Sequence, residues 1–349
     1  MNNLSDRNSF NTGGPGLRNG NFIGLPFTAE TANIILLPVP WDVTVSYGEG
    51  TAYAPQAILD ASVQIDLEDY DVHDAWKLGI FWNKSVESVL KIREELRIKA
   101  ASYINFLEEG GNVNEDILKK KVLDEINAQC NRLNSLVYSQ SEKIIKKGKV
   151  VGVAGGDHSV NFGLIKALLE KYKSFGILQI DAHHDLRECY EGFDFSHASV
   201  FYNVLKEKGI SRLVQVAIRD YCEEELKRVK QEHDRIVVFF DQQLKRNYFE
   251  GVRWRDQCDK IVEKLPENVY ISVDVDGLDP KLCPHTGTPV PGGLDFFEMV
   301  FLLNKVVESG RKIIGFDLCE TGNDEWDANV GSRILYKLCN LTGRSQDMI

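Results

Sequence analysis

The chain has 349 residues, 43% hydrophobic and 27% charged, with a formal net charge of −11. That length fills one large α/β domain, and the acidic balance argues against nonspecific binding to nucleic acid or to an anionic membrane. No run of about 18 apolar residues is present to span a bilayer, and seven cysteines with no Cys-x-x-Cys pair fit reduced thiols in a cytoplasm.

Residues 1–30 read as an N-terminal arm. Its first 24 residues are rich in Asn, Gly and Ser and lack an apolar signal core, which suits a flexible or subunit-contact segment rather than a targeting peptide. Residues 31–349 read as a single domain. Leu36 to Thr51 is a strand followed by a turn-rich loop, with Trp41, Thr44 and Tyr47 as candidates for the rim of a site. Residues 85–147 are charged and helical in pattern. Gly110-Gly111 splits this insertion into two helices, and Asn114 is a plausible N-cap for the second. Leu118, Val122 and Ile126 share one face, joined further on by Leu133 and Val137. The expectation is a helical hairpin on the domain surface that contributes to an oligomer contact.

Strand-like runs at 34–37, 150–153, 177–180, 214–218, 236–240, 269–273 and 312–316 alternate with helix-like stretches. That rhythm predicts a mainly parallel sheet with crossover helices. Three of the runs end in chemistry, where open α/β sheets place ligands. Val150 to Ser159 ends in Gly155-Gly156-Asp157-His158; the glycines allow a tight path that brings His158 to the strand ends. Ile177 to Asp185 ends in Asp181-Ala182-His183-His184-Asp185. On an extended chain Asp181, His183 and Asp185 share a face, and His184 points the other way. Val269 to Pro280 carries Asp274 and Asp276 at alternate positions. Two carboxylates on one face of a buried strand end repel, and a cation between them removes that cost.

His158, Asp181, His183, Asp185, Asp274 and Asp276 are therefore six candidate metal ligands. Four carboxylates exceed the need of one small ion and suit two divalent ions sharing carboxylates and a water. The absence of sulfur points to Mn²⁺, with Ni²⁺ or Co²⁺ as alternatives. Such a pair lowers the pKa of a shared water, so the predicted reaction class is metal-assisted hydrolysis.

Gly155 to Ser159, Asp181 to Asp185 and Ser272 to Pro280 resemble the three signatures of the ureohydrolase (arginase/agmatinase) superfamily, in its agmatinase-like branch. The resemblance runs from about Ile34 to the C-terminus. It implies a three-layer α/β/α fold around a mainly parallel sheet, and hydrolysis of a guanidino compound to urea and an amine. It also implies a small guanidino substrate and a homo-oligomer, trimeric or hexameric. By position, the six ligands match those of the family. His197 resembles the family's proton shuttle to the leaving amine, Asp185 would also orient the water, and Glu320 resembles the guanidinium-binding glutamate. Thr286 to Gly293 resembles a substrate-side loop.

Two departures bear on the substrate. Glu320 is followed by Thr321-Gly322-Asn323-Asp324-Glu325-Trp326, which places Trp326 as a reshaped pocket wall. Arg187 stands where a polar residue meets the substrate's tail in arginase-type enzymes; its charge disfavours a cationic tail. Substrate-binding candidates are thus Glu320, Arg187, Trp326 and Thr44. Guanidine, arginine, a guanidino acid and formiminoglutamate remain alternatives to agmatine. A deacetylase on a related scaffold needs fewer ligands, and a catalytically silent scaffold would have lost some. Cys189 and Cys319 read as small apolar fillers beside the site.

Overall fold

In the computed structural model, which describes residues 10–349, eight strands form one sheet. They are β1 (Ile34–Val39), β2 (Ile80–Trp82), β3 (Val150–Gly155), β4 (Phe175–Ile180), β5 (Ile210–Ile218), β6 (Ile236–Phe240), β7 (Asn268–Asp274) and β8 (Lys312–Cys319). The helices are α1 (Ala54–Ser62), α2 (Val89–Glu108), α3 (Ile117–Lys146), α4 (Phe162–Lys171), α5 (Val200–Leu205), α6 (Glu223–Gln231), α7 (Asp241–Phe249), α8 (Trp254–Glu263), α9 (Phe296–Glu308) and α10 (Glu325–Ser345). The order is β2-β1-β3-β8-β7-β4-β5-β6, and every pairing is parallel. The fold is the expected α/β arrangement with helices packed on the sheet.

The inner strands are buried along their length, β1, β3 and β4 at every residue. A sheet covered on both faces needs continuous apolar runs rather than alternation, and Ile34-Ile35-Leu36-Leu37 supplies one. After β3 the chain does not place β4 beside it; β8 and β7 later fill the gap. The chain runs outward from β4 to β5 and returns from β7 to β8, so its direction reverses between the neighbours β4 and β7. Loops leaving such neighbouring strands diverge and open a crevice at the C-terminal edge. All six ligand candidates and Glu320 lie at or just beyond the ends of β3, β4, β7 and β8. Among the described residues, no helix is long and apolar enough to cross a membrane.

Three expectations are corrected. The first concerns the arm: residues 1–9 lie outside the described residues, but from Asn21 onward the segment is packed. Phe22 and Leu25 are fully buried. The Asn21 amide donates to Leu25 O (2.9 Å) and Ile80 O (3.1 Å), and its oxygen accepts from Trp82 N (2.7 Å). Ile80 O and Trp82 N are backbone groups on the outer side of the edge strand β2, so the arm closes that edge. β2 has three residues, too few for a periodic signal, and went unpredicted. Asn21→Ala leaves buried backbone groups without partners, and is expected to lower unfolding stability by about 1–3 kcal/mol in a urea titration.

The second and third concern the insertion. It does form two helices, but the N-cap of α3 is Asp116, not Asn114: its carboxylate accepts from Leu118 N (2.9 Å) and Lys119 N (3.0 Å). Leu118 is 69% exposed, so the buried stripe starts at Ile126 and runs through Cys130, Leu133 and Val137. That stripe packs on α4, where a Cβ on Gly163 would come within 2.5 Å of Asn134 O. The hairpin is part of the packed body along α3.

Candidate metal centre and cleft

The six ligand candidates converge. His158 Nδ1 lies 3.0 Å from Asp181 Oδ2, 2.9 Å from Asp185 Oδ2 and 3.3 Å from Asp274 Oδ2. His183 Nδ1 lies 3.0 Å from Asp276 Oδ2 and 3.6 Å from Asp181 Oδ1. Asp181 thus turns one oxygen to each imidazole and stands between two lobes. The grouping does not arise from strand alternation, because β4 ends at Ile180. Beyond it the backbone turns, and Asp185 adopts φ 55° to face back toward His158. His184 does point away, with Nδ1 2.7 Å from Gln215 Oε1 and its ring against Tyr221 and Phe240.

Outer contacts hold the carboxylates. Ala182 N donates to Asp276 Oδ1 (3.1 Å), Asp276 N to Asp274 Oδ1 (2.9 Å) and Gln179 Nε2 to Asp181 Oδ2 (2.7 Å). Thr288 Oγ1 donates to Asp276 Oδ2 (3.2 Å). A Cβ at Gly277 would meet Asp181 N at 2.5 Å, so glycine is required where the ends of β4 and β7 draw together.

The donor chemistry fits a divalent pair. His158 Nε2 is 2.9 Å from Ser272 Oγ, and Ser272 Oγ donates its one proton to Asp317 Oδ1 (2.9 Å). A carboxylate can only accept, so Ser272 accepts from the Nε2–H of His158. That tautomer leaves the Nδ1 lone pair aimed at three carboxylates. Lone pairs facing carboxylates call for a cation, and an imidazole oriented by a polar chain on its far side is how such ligands are held.

Without a cation the same side chains take up protons. Burial opposes charge on His158 and His183, but the surrounding aspartates outweigh it; they hold His158 well above its usual range and push His183 to about 12. Burial, then Asp181, raises Asp185 to about 7, and burial, then Asp276, raises Asp274 well above the carboxylate range. Metal ions must displace these protons. Apparent metal affinity is therefore expected to rise with pH between 6 and 9. Calorimetry in buffers of different ionisation enthalpy should register proton release on loading.

Beside the metal lobes is a cleft of about 170 Å³ lined by Ser46, His183, Asp185, Arg187, Tyr190, His197, Asp220 and Thr288, among others. His197 starts a short 3₁₀ turn fixed by the Ser196–Ser199 capping box. Its Nδ1 has no protein partner. Burial, then the charges of His183 and His158, hold the ring down to about 3, so it is neutral. Arg187 stacks on Tyr190, its guanidinium 4.7 Å from the ring centre.

Glu320 sits deeper. It is 3% exposed at φ 61°. Its Oε1 accepts from His158 N (3.0 Å), while Oε2 has no partner. Burial, then Asp157 and Asp276, hold its carboxyl well above the usual range. Glu320 does not line the open cleft: a Cβ on Gly287 would lie 3.1 Å from Oε2, so the loop at 286–288 covers it.

Two substrate-wall expectations are corrected. Thr44 is fully buried, and its neighbour Ser46 reaches the cleft instead. Trp326 is 52% exposed, on the first turn of α10, and donates to Lys281 O (3.1 Å) outside the cleft. Trp41 is buried, whereas Tyr47 stands 82% exposed next to the cleft-lining Ser46. Cys319 is buried as expected, whereas Cys189 is exposed and fills no interior space. Sequence reasoning missed Ser272 and Asp317. Their signal was a polar residue inside an apolar strand, which is informative because buried polar groups need partners.

Comparison with known proteins agrees along most of the chain. The arginase family model matches residues 32–338. The chain is 31% identical over 316 residues to N(1)-aminopropylagmatine ureohydrolase of Thermus thermophilus, across 90% of this chain and 92% of that protein. It is 28% identical over 317 residues to agmatinase of Bacillus subtilis, across 88% and 91%. The agmatine ureohydrolase structure of Thermoplasma volcanium matches at a TM-score of 0.68, covering 92% of this chain and 93% of that one at 21% identity.

Proposed function

As a member of the arginase family this chain is a hydrolase of C–N bonds that cleaves a guanidino compound to urea and an amine, and we propose how its own residues divide that work. The observation that carries the reading is the two-lobed ligand set with Asp181 between the lobes. One divalent ion would be held by His158, Asp181, Asp185 and Asp274, a second by His183, Asp181 and Asp276. Mn²⁺ is the first choice, with Ni²⁺ or Co²⁺ as alternatives. When bound, the ions supply Lewis acidity and lower the pKa of water at the site.

The protein's part is positioning and proton movement. Asp185 spans ligand set and cleft, so its carboxylate orients the attacking water. Glu320 offers its free oxygen to the planar guanidinium, once the backbone at Gly287 yields, and fixes the carbon for attack. His197, neutral and unpartnered at Nδ1, accepts a proton and passes it to the departing amine. All seven cysteines are free, which supports a cytoplasmic setting. Ile98, Ile117 and Leu118, exposed on the hairpin, support a homo-oligomer through that face; a monomer in solution scattering would refute it.

The test is urea release from agmatine, arginine, guanidinobutyrate and guanidine, with Mn²⁺ and Ni²⁺ supplied separately. The agmatinase-like reading expects agmatine to lead; urea from none of the four would overturn the assignment. One observation favours a second reading, a short or anionic tail: the Arg187 cation in the cleft wall. Arg187→Met is then expected to raise KM for guanidinobutyrate about tenfold and lower it for agmatine. Equal effects on both would remove Arg187 from substrate choice.

A further inference from the structure

The helical hairpin grips both loops that form the walls of the cleft. From α2, Arg97 Nη1 donates to Val43 O (3.1 Å) and Val45 O (2.8 Å), and its Nε pairs with Glu49 (3.0 Å). One turn earlier, Arg93 is buried against Asp42. The other Asp42 oxygen accepts from Gly50 N (2.9 Å) and Ala52 N (3.2 Å). These contacts fix the loop at 42–50, which sends Ser46 into the cleft and donates from Gly48 N to Gly287 O (3.1 Å), over Glu320.

The opposite wall is the loop at 187–197, carrying Arg187, Tyr190 and His197. From α2, Tyr103 Oη donates to Glu191 O (3.0 Å). From α3, the Asn127 amide donates to Gly192 O (3.1 Å) and accepts from Asp194 N (3.0 Å). Gly192 has φ +85°, and a Cβ there would meet Leu123 of α3 and the Tyr103 hydroxyl at 3.0–3.1 Å. Glu191 also feels the charge of Arg97, after burial and Glu108. Lys99 pairs with Glu125 (2.7 Å) and ties the two helices together. One rigid unit thus fixes both walls, while the metal ligands hang from strand ends that it does not touch through these contacts.

We propose that the α2–α3 hairpin is a specificity-determining buttress, in which Arg97 and Asn127 are positioning residues that set the spacing of the two cleft walls and so select the length of the substrate's tail. The inference rests on the guanidino-hydrolase reading. Neither side chain touches the metal ligands. Each acts on backbone carbonyls or amides of a wall loop, and a displacement of 1 Å in such a wall is enough to change turnover severalfold or more. Arg97→Met keeps most of the apolar stem and removes the three polar contacts. Asn127→Ala releases the other wall.

The experiment measures kcat/KM for agmatine, guanidinobutyrate and guanidine in wild type, each variant and the double variant, with metal content and melting temperature. The expected result is a change of about tenfold or more in the ratio between the substrates with tails and guanidine. Metal content stays full, and the two effects are non-additive because one body links them. If all substrates fall by the same factor, or none changes, the buttress is merely structural and the proposal fails. If Arg97→Met does not fold, Asn127→Ala and Tyr103→Phe carry the same test on the second wall. A wild type that releases urea from no guanidino compound overturns the guanidino-hydrolase reading and the proposal with it, whereas an active enzyme with unchanged substrate ratios overturns the proposal alone. The two failures are therefore distinct.

Discussion

Replacing Asp274 with alanine is expected to strip the protein of metal and reduce urea release to background. Asp274 Oδ2 lies 3.3 Å from His158 Nδ1, and its other oxygen accepts from Asp276 N. Loss of this one side chain removes a ligand from the His158 lobe and loosens the Asp276 backbone of the His183 lobe. Changes in partners behind a ligand already cost 10–100-fold in affinity, so metal retention should fall by more than ~100-fold, measured by metal analysis after dialysis. In the metal-free protein the hydrogen bond lost at Asp276 N is offset by relief of an electrostatic cost. The Asp274 carboxyl is held well above its usual range by burial and by Asp276 and Asp181. A raised folded-state pKa means that ionising the group costs stability above its unfolded pKa of about 4. Without metal at pH 7.5, Asp274→Ala should melt at or above wild type, and only wild type should gain on adding Mn²⁺. A metal-free variant that melts well below metal-free wild type would refute the electrostatic account of the centre.

His197→Ala is expected to separate chemistry from metal binding. The ring lines the cleft and makes no protein hydrogen bond through Nδ1. Its removal leaves no buried group orphaned, and both ions should remain. Turnover should drop by about 10²–10⁴, the range for losing a positioned acid–base group. Added imidazole should restore part of it, because the vacated space opens to the cleft. Unchanged kcat with full metal would take His197 out of the reaction; loss of metal would make it a support for the centre.

The ligand set was legible because each motif is short and follows a buried strand. A polar cluster at a strand end has few directions in which to point. Even so, the grouping of Asp181, His183 and Asp185 comes from a turn with Asp185 at positive φ, not from extended alternation. The cleft walls were much less legible. Thr44 and Trp326 are the right kinds of residue in the right loops, yet one faces inward and the other lies on a helix start outside the cleft. Direction in a loop is decided by what clamps it, and the clamps here come from Arg93, Arg97 and Asn127, far away in sequence. The cap of α3 falls on Asp116, two residues beyond the expected Asn114, because composition alone does not separate two nearby residues that can both cap. β2 left no periodic trace because it consists of three residues.

The Asn21 clasp on β2 bears on how the gene should be cut. The family match begins at residue 32, and a fragment trimmed to that boundary loses Asn21, Phe22 and Leu25 together. It would present the bare backbone of Ile80 and Trp82 as a template for another chain's strand. Such a fragment should be recovered as aggregate. Residues 21–31, outside the family match, therefore belong to the smallest unit that keeps this edge covered.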